Sequence, residues 1–516
     1  MFPNHDFQLS RRRFGAILVA GMLGAGLVSP AFAADPVVLT TRIGSDIGNL
    51  DPARIFQIEN QTVATQIYNG LVKYDEATNE IVPDLAKSWE VSEDGTTYTF
   101  HLNDGVTFHK GYGPMTSDDV KFSFERVLDP ETGSNYKGQF AAIDTIETPD
   151  PMTVVITLKA PNSGFLHKVA AFNQGWIVSR KALADIGKDQ YLTNPIGTGP
   201  FVFEKWTPGR EVRLVANKDY FEGAPKVDEL LFRLIKDETA AAVALENGEI
   251  DIFFGLQEPA VISRLQASDK VTVLDRDANH TINLVLNTTN KPLDDLKVRQ
   301  AIIHALNRKG LIEGFFKGTK SEAASVLTPS FQEFTDDVAT YAYDPEKAKA
   351  LLEEAGATGA EIELVAPAFN PYDKVVVALA ADLEAVGFKP KITVLERGAY
   401  LQARNKGEVD TVITGVVGAP DPDSPILSML SRSAFPPGLN TAHYEGIEDL
   451  IQAAGTATST EERKKVYAEM QKKVAEDLPV VPLFTDHLFI AHTNKVKGFT
   501  QNSLFTMSAY PVSIEE

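Results

Sequence analysis

The chain has 516 residues, of which 43% are hydrophobic, a formal net charge of −21 and no cysteine. This length and apolar content predict two or three domains with sizeable cores, and the acidic balance argues against binding to a nucleic-acid backbone. The lack of cysteine excludes disulfides, thiolate nucleophiles, cysteine-based metal sites and a lipidated N-terminal cysteine.

The N-terminal segment is typical of an export signal. Residues 10–14 read Ser-Arg-Arg-Arg-Phe and precede an apolar run over 14–28, which is shorter than the roughly 20 residues that span a bilayer. Residues 30–33, Pro-Ala-Phe-Ala, supply a cleavage site, so we expect a periplasmic protein cleaved between Ala33 and Ala34. The arginine pair followed by phenylalanine is similar to a twin-arginine signal, with a Sec signal as the alternative.

The first half of the mature chain is predicted to alternate short strands and helices. Alternating apolar residues predict strands at 37–43, 89–91, 97–102, 153–158, 229–235 and 250–254. Helical spacing and capping residues predict helices at 61–68, 117–126 and 240–245. Asp94-Gly95 joins two of the strands, because this dipeptide favours the positive φ angles of a tight hairpin turn. Residues 195–200 and 214–221 are predicted to be loops.

Residues 280–308 are predicted to form a strand, a polar loop and a helix. From His280 to Asn287, leucine and β-branched residues alternate with polar ones, which is typical of a strand. Pro292 and the following aspartates interrupt this pattern, and an aspartate there can cap a helix. Apolar residues then recur at helical spacing from Val298 to Leu306.

The second half of the chain has a regular α/β rhythm. Strands are predicted at 361–366, 391–395 and 411–415, and helices at 344–355, 373–386, 399–406 and 461–475. In the first of these helices Asp344 is the cap, Pro345 takes the first helical position and Gly356 ends the helix. Strands that alternate with helices imply a parallel sheet with right-handed crossovers. Residues 421–425 are predicted to be a capped loop.

Several short motifs occur in an order that is more specific than any one of them. They are Asn-Leu-Asp-Pro at 49–52, Pro-x-Leu-Ala-x-Ser-Trp at 83–89, Ser-Asp-Asp-Val at 117–120, Pro-Ile-Gly-Thr-Gly-Pro-Phe at 195–201, Leu-x-Leu-Asn at 284–287 and Val-Arg-Gln-Ala-Ile at 298–302. Across nearly all of residues 35–516 this series resembles the peptide/opine/nickel-binding family, family 5, of the extracytoplasmic solute-binding proteins of ABC importers.

The resemblance implies a mixed α/β, periplasmic-binding-protein-like two-lobed fold with an extra inserted domain and a ligand cleft between the lobes. After the export signal peptide at 1–33, lobe I is expected to be discontinuous, at 34–66, 196–282 and 484–516. The inserted domain is expected at 67–195 and lobe II at 283–483. The strand that starts at His280 and the stretch 478–484 are expected to cross between the lobes.

The function implied by the resemblance is that of the periplasmic substrate-binding component of an ABC transporter. Such a protein captures a peptide-like or other small polar or acidic solute by lobe closure and delivers it to the permease subunits. The ligand classes left open are peptides, opine-like conjugates, glutathione-like compounds and oligosaccharides. We expect a monomer that is not lipid-anchored, is not an enzyme, binds no nucleic acid and needs neither a cofactor nor a metal.

The resemblance also indicates which residues face the cleft. They are Phe56, Gln57, Asn173, Trp176, Arg397, Gly415, Val417, Gly418 and Asn440. Three positions depart from the peptide-binding pattern. Gly418 replaces an acid that pairs with a ligand ammonium group, Pro367 replaces an arginine that holds a ligand carboxylate, and Arg397 stands where a tryptophan is common. We hypothesise that the planar guanidinium of Arg397 pairs with a ligand carboxylate, the alternative being a surface arginine paired with Glu396 or Glu408.

Motifs for catalysis or metal binding are weak. Ser134 and Lys137 have the spacing of a serine–lysine pair but lack its companion motifs. The nine histidines show no metal-ligand spacing, and Asp421 with Asp423 offers too few oxygens for calcium. Two other classes stay open. A secreted hydrolase would need a nucleophile–base pair that the sequence does not show, and a periplasmic chaperone or chemoreceptor adaptor would use the same fold.

Overall fold

The computed structural model describes residues 35–55, 57–170, 174–369, 371–417, 419–457 and 459–515. The predicted export signal lies outside this part of the chain, as do Phe56, Asn173 and Gly418. None of the helices described combines the length and the apolar character needed to traverse a bilayer.

Strands and helices are distributed along the whole described chain. The strands are β1 (Val38–Ile43), β2 (Val72–Tyr74), β3 (Ile81–Pro83), β4 (Ala86–Val91), β5 (Thr97–Leu102), β6 (Thr107–Phe108), β7 (Gly113–Pro114), β8 (Ile143–Asp150), β9 (Thr153–Leu158), β10 (Phe201–Thr207), β11 (Glu211–Ala216), β12 (Glu229–Leu234), β13 (Ile252–Leu256), β14 (Val271–Leu286), β15 (Lys320–Glu322), β16 (Glu361–Pro367), β17 (Lys389–Leu395), β18 (Thr411–Gly415), β19 (Val480–Thr493), β20 (Val496–Lys497) and β21 (Ser513–Ile514). The α-helices are α1 (Ile58–Ala64), α2 (Ser117–Leu128), α3 (Phe165–Ala170), α4 (Arg180–Ile186), α5 (Lys188–Tyr191), α6 (Glu238–Glu246), α7 (Pro259–Gln266), α8 (Leu296–Ala305), α9 (Arg308–Gly314), α10 (Pro345–Glu354), α11 (Tyr372–Ala385), α12 (Arg397–Lys406), α13 (Asp423–Leu430), α14 (Glu448–Gly455) and α15 (Thr460–Asp477).

Two long antiparallel strands, β14 and β19, organise the main sheet. They pair along most of their length, and a bulge interrupts the pairing between Asp277 and Thr281. The strands β10, β11, β12, β1 and β13 join β19 through β13, and we call them the first half-sheet. The strands β17, β16 and β18 join β14 through β18, and we call them the second half-sheet. Both predicted crossing segments therefore belong to the two strands that connect the half-sheets.

The carboxyl ends of both half-sheets point toward the middle of this crossing. β1 is parallel to β12 and β13, and β13 reaches its carboxyl end at Leu256, opposite Phe489 of β19. β16 is parallel to β17 and β18, and β18 ends at Gly415, opposite Ile282 of β14. Because open α/β sheets bind ligands outside the carboxyl ends of their strands, this topology positions a cleft at the crossing.

Each half-sheet is packed by its own core. The first half-sheet shares a core with the antiparallel sheet β4-β5-β9-β8, through residues such as Leu39, Phe100 and Phe232. The second half-sheet packs against α8 and α11 around Ile302 and Leu364. The segment predicted to be an inserted domain is therefore continuous in its packing with the first half-sheet.

Most of the main predicted elements are confirmed within a few residues, but β14 begins at Val271, nine residues before the predicted start at His280, and two loop predictions are wrong. The hairpin turn has Gly95 at the expected positive φ of 68°, although the connection spans residues 92–96 and Asp94 does not share the positive φ, and the Asp344 carboxylate caps α10 as expected. The loop predicted at 214–221 begins inside β11, because pairing with β10 and β12 outweighs the polar residues nearby. The loop predicted at 421–425 contains the start of α13, whose first turn tolerates proline.

Candidate ligand-binding cleft

Three solvent-accessible side chains lie at the carboxyl edge of the second half-sheet. Phe369 follows β16 and is 49% exposed, and Val417 follows β18 and is 52% exposed. Arg397 begins α12 directly after β17. Their strands are neighbours in the order β18-β16-β17, so the three loops lie side by side. The edge presents a guanidinium group beside two apolar side chains, of which Phe369 is absent from the sequence-predicted set.

Arg397 is exposed and is the first residue of α12. The side chain of the preceding Glu396 makes no capping hydrogen bond with the helix. Within the described residues the Arg397 guanidinium has no hydrogen bond or ion pair, so neither Glu396 nor Glu408 neutralises it. Since a helix N-terminus adds positive potential, it reinforces the charge of this solvent-exposed guanidinium.

Gly415 ends β18 close against the crossing strand β14. A Cβ atom on Gly415 would lie 2.5 Å from His280 Nε2 and 2.6 Å from the Thr281 carbonyl oxygen, so glycine is required for packing. His280 Nδ1 lies 2.7 Å from Asp486 Oδ2, and Lys320 Nζ lies 2.8 Å from Asp486 Oδ1. Burial alone would raise the pKa of Asp486, but His280 and Lys320 hold that pKa below its ordinary value. The Asp486 carboxylate is therefore ionised, and the strands are closely packed where they cross.

A serine–histidine–carboxylate chain lies where β15 meets the crossing strands. Ser321 Oγ is 2.6 Å from His487 Nε2, and His487 Nδ1 is 2.7 Å from Asp275 Oδ1. Asp277 Oδ1 also lies 3.2 Å from His487 Nε2. The hydrogen bond to Asp275, with the charge of Asp277, raises the pKa of His487 against the opposing effect of burial. The chain has the order of a nucleophile–base–carboxylate arrangement, which the sequence did not indicate, and its two carboxylates favour the protonated form of the imidazole.

Gln57 and Trp176 occupy different environments. Gln57 is exposed at the N-cap position of α1. Trp176 is 8% exposed, and its ring stacks on Tyr68 with the centroids 5.8 Å apart. Gln57 is thus accessible to a solute, whereas Trp176 chiefly packs. The predicted contacts of Phe56, Asn173 and Gly418 lie outside the described residues.

Asn440 has a packing role that the sequence did not indicate. The side chain is fully buried, and its Nδ2 donates to the carbonyl oxygens of Ser431 and Tyr444, both at 2.9 Å. Its Oδ1 accepts from the Tyr444 amide. Because the side chain is fully buried and both of its N–H donors are used inside the protein, Asn440 has a packing role here, and its contact with a ligand stays a prediction.

The two aspartates that follow β18 are both occupied within the protein. Asp421 pairs with Lys168 and lies 3.0 Å from Arg463, while Asp423 accepts a hydrogen bond from Tyr467 and lies 3.2 Å from Arg463. Burial would raise the pKa of Asp421, but the adjacent Lys168 and Arg463 hold it well below its ordinary value. Neither carboxylate is free for an ammonium group. Within the described part of the chain, no group of three or more metal-ligating residues is placed to hold a metal ion.

Polar groups at the carboxyl edge of the first half-sheet are also satisfied internally. The guanidinium of Arg42 donates to the carbonyl oxygens of Ile235, Lys236, Phe254 and Gly255 over 2.8 to 3.2 Å. Glu238 accepts from the amides of Gln257 and Glu258. These bonds connect the carboxyl ends of β12 and β13 and the segments that follow them, so they hold this edge rigid.

Comparison with known proteins gives a consistent result. The family model for bacterial extracellular solute-binding proteins, family 5 (middle), matches residues 80–436. The dipeptide-binding protein of Escherichia coli K12 is 33% identical over 478 residues, which cover 87% of this chain and 89% of that relative. The heme-binding protein A of Haemophilus influenzae is 32% identical over 496 residues, with 90% of each chain covered. A structure of HbpA2 from Haemophilus parasuis superposes with a TM-score of 0.87 at 28% identity, covering 93% of this chain and all of that one.

Proposed function

Because the chain belongs to family 5 of the bacterial extracellular solute-binding proteins, it is the periplasmic substrate-binding component of an ABC importer, and we propose that its ligand carries a carboxylate or other anionic group. The ligand is a small peptide-like solute, bound between the carboxyl edges of the two half-sheets. Arg397 is its anchor.

The observation that carries this proposal is the exposed and unpaired guanidinium of Arg397. Among the described residues no acid competes for it, and it lies between solvent and the start of α12. A guanidinium offers a planar set of donors that matches a carboxylate in two parallel hydrogen bonds. Phe369 and Val417 lie on the neighbouring strands of the same edge and supply apolar contact.

The occupied acids support the same ligand class. Asp421 and Asp423 follow β18, where a free carboxylate would recognise a ligand ammonium group, but both already have cationic partners inside the protein, Lys168 for Asp421 and Arg463 for the two together. A solute that depends on an ammonium contact at this loop therefore finds no partner among these aspartates. Peptides with a free carboxylate stay within the class, because waters can bridge their amino end to the protein.

The two curated relatives described above are named for different ligands, a dipeptide and heme. Membership of the family therefore leaves the ligand open, although both of these compounds carry free carboxylates. That shared chemistry agrees with an arginine anchor. Opine-like and glutathione-like compounds share it as well, whereas a neutral oligosaccharide does not.

Capture proceeds by closure of the two lobes. Their proposed bounds are 34–66, 196–282 and 484–516 for lobe I and 283–483 for lobe II, with 67–195 inserted. A ligand that contacts both edges favours the closed form, which docks on the permease. Gln57, Phe56, Asn173, Trp176, Val417 and Gly418 complete the proposed lining. The protein is exported through its N-terminal signal, by the twin-arginine route with Sec as the alternative, and acts as a monomer.

The test begins with native mass spectrometry of the protein purified from its own periplasm without denaturation. We expect a retained acidic compound, seen as a mass increment that disappears on unfolding. Calorimetric titration with that compound then compares Arg397→Ala with Arg210→Ala, a control in which the arginine is 75% exposed on the β10–β11 turn. Loss of a charged hydrogen-bond pair predicts about tenfold or greater weakening for Arg397→Ala alone. A loss below about threefold, which is less than the roughly tenfold worth of one such bond, contradicts the proposal.

A further inference from the structure

A buried ion pair joins two segments that lie far apart in the sequence, at one side of the cleft. Lys168 belongs to α3, in the predicted inserted domain, and Asp421 follows β18 in the predicted lobe II. Their side chains are only 18% and 2% exposed. Lys168 lies five residues before Asn173 and Asp421 lies three residues after Gly418. The pair thus connects two segments that carry predicted ligand contacts, one in the predicted inserted domain and one in the predicted lobe II, and we call these two sides the walls of the cleft.

Arg463 of α15 extends this connection. It donates to Asp421 at 3.0 Å and to Glu333 at 2.8 Å, and its side chain is 4% exposed. It also lies 3.1 Å from Nε2 of His167, the neighbour of Lys168. Burial lowers the pKa of His167 to about 4, so the neutral ring accepts this bond at Nε2. Its other nitrogen carries the proton and lies 3.1 Å from the Tyr74 hydroxyl.

Main-chain contacts continue along the same interface. Ser163 Oγ donates to the Ala454 carbonyl oxygen at 2.6 Å, and the Ser163 amide donates to Gly455 at 3.1 Å. Asn79 Nδ2 also donates to the Ser330 carbonyl oxygen at 2.7 Å. All of these bonds connect the predicted inserted domain with the predicted lobe II, so separation of the two would break them together.

Charge balance makes Lys168 the decisive member of the cluster. Three carboxylates, those of Asp421, Asp423 and Glu333, face the two cations Lys168 and Arg463. Without Lys168, a single arginine faces three buried acids, which repel one another and favour hydration of the interface.

We propose that α3 and the Asp421–Arg463 pair form a latch that holds the two walls together in the absence of ligand. Lys168 is its positioning residue and touches no solute. The latch sets the distance between the lobes before a ligand binds. A ligand therefore closes a protein in which one contact between the walls already exists. This inference rests on the proposed function only in treating the two walls as lobes of one cleft.

The chain has no cysteine, so two introduced cysteines can be labelled specifically with a donor dye and an acceptor dye. Lys87→Cys on β4 and Lys349→Cys on α10 replace lysines whose side chains are 51% and 44% exposed, one on each side. Single-molecule energy transfer on the ligand-free protein then reports the separation. Lys168→Met keeps the apolar stem and removes the ammonium, and we expect the ratio of closed to open molecules to fall about tenfold.

Two controls accompany this variant. Lys181→Met removes an exposed lysine that pairs with Asp185 on its own helix, and we expect no change. Lys168→Arg keeps the charge, and we expect a distribution close to that of the unmodified protein. An unchanged distribution for Lys168→Met, or an equal opening for Lys168→Arg, overturns the latch. Since no ligand is present, these outcomes are independent of whether the proposed anionic ligand is correct.

Discussion

The carboxyl edges of the two half-sheets face the same crossing but use their polar groups differently. At the first edge, Arg42 gives its donors to four main-chain carbonyls and Glu238 accepts two amides. At the second edge, the Arg397 guanidinium has no partner among the described residues, and Phe369 is half exposed. The first edge is therefore a prebuilt support, whereas the second carries groups that a ligand can satisfy.

The sharpest test of the first edge is Arg42→Met. This change leaves four main-chain carbonyls at the ends of β12 and β13 without their donor, although the apolar stem is kept. Unsatisfied buried polar groups predict a loss of about 3 kcal/mol in the free energy of unfolding. Urea unfolding measures it, with Arg210→Met on an exposed turn as the control, for which a change within about 0.5 kcal/mol is expected. A loss as small as that of the control would show that the Arg42 bonds do not support this edge.

A second test concerns the packing between β18 and the crossing strand. Gly415→Ala places a methyl group 2.5 Å from His280 Nε2 and 2.6 Å from the Thr281 carbonyl oxygen. Such overpacking predicts a loss of about 1 to 3 kcal/mol in the free energy of unfolding. Gly398→Ala is the matched control, because no atom lies within 4 Å of the added carbon. Its position inside α12 predicts a gain of about 0.5 kcal/mol, and equal losses in the two variants would rule out a tight crossing.

The smallest expected effect is a dependence on pH at His487. Its pKa is raised by the hydrogen bond to Asp275, with Asp277 adding to the effect and Lys320 opposing it. The stabilisation is therefore fully present below the unfolded pKa of about 6.5 and is lost as the pH rises through the higher folded value. Melting temperatures of the unmodified protein and His487→Gln should differ most at pH 5 and converge at alkaline pH. A difference that grows with pH would reverse the assigned sign, and His101→Gln on β5, where the side chain is 38% exposed, is the control.

Local patterns in the sequence predict much of the fold. Asp94-Gly95, the Asp344 cap and the α/β rhythm after residue 340 each depend on near neighbours, and the structure confirms them. The order of short motifs predicts the family. β11 is different, because its pairing with β10 and β12 decides its structure rather than its own composition.

The candidate site is predicted less completely, because its contacts join distant parts of the chain. In the sequence Asp421 is interpreted as part of a capped loop, with calcium binding as the weaker alternative, since its partner Lys168 lies 253 positions away. Likewise, Ser321 and His487 are separated by 166 positions. Asn440 follows the family pattern as a cleft residue, yet its burial emerges only from the packing of the surrounding loops.

Small-angle X-ray scattering, with and without the solute retained from the periplasm, tests the central claim most directly. Ligand bound between the two carboxyl edges draws the lobes together, so the radius of gyration should fall when the solute is added. Arg397→Ala should show no fall at the same solute concentration. Equal dimensions of the unmodified protein with and without bound solute would contradict capture by closure.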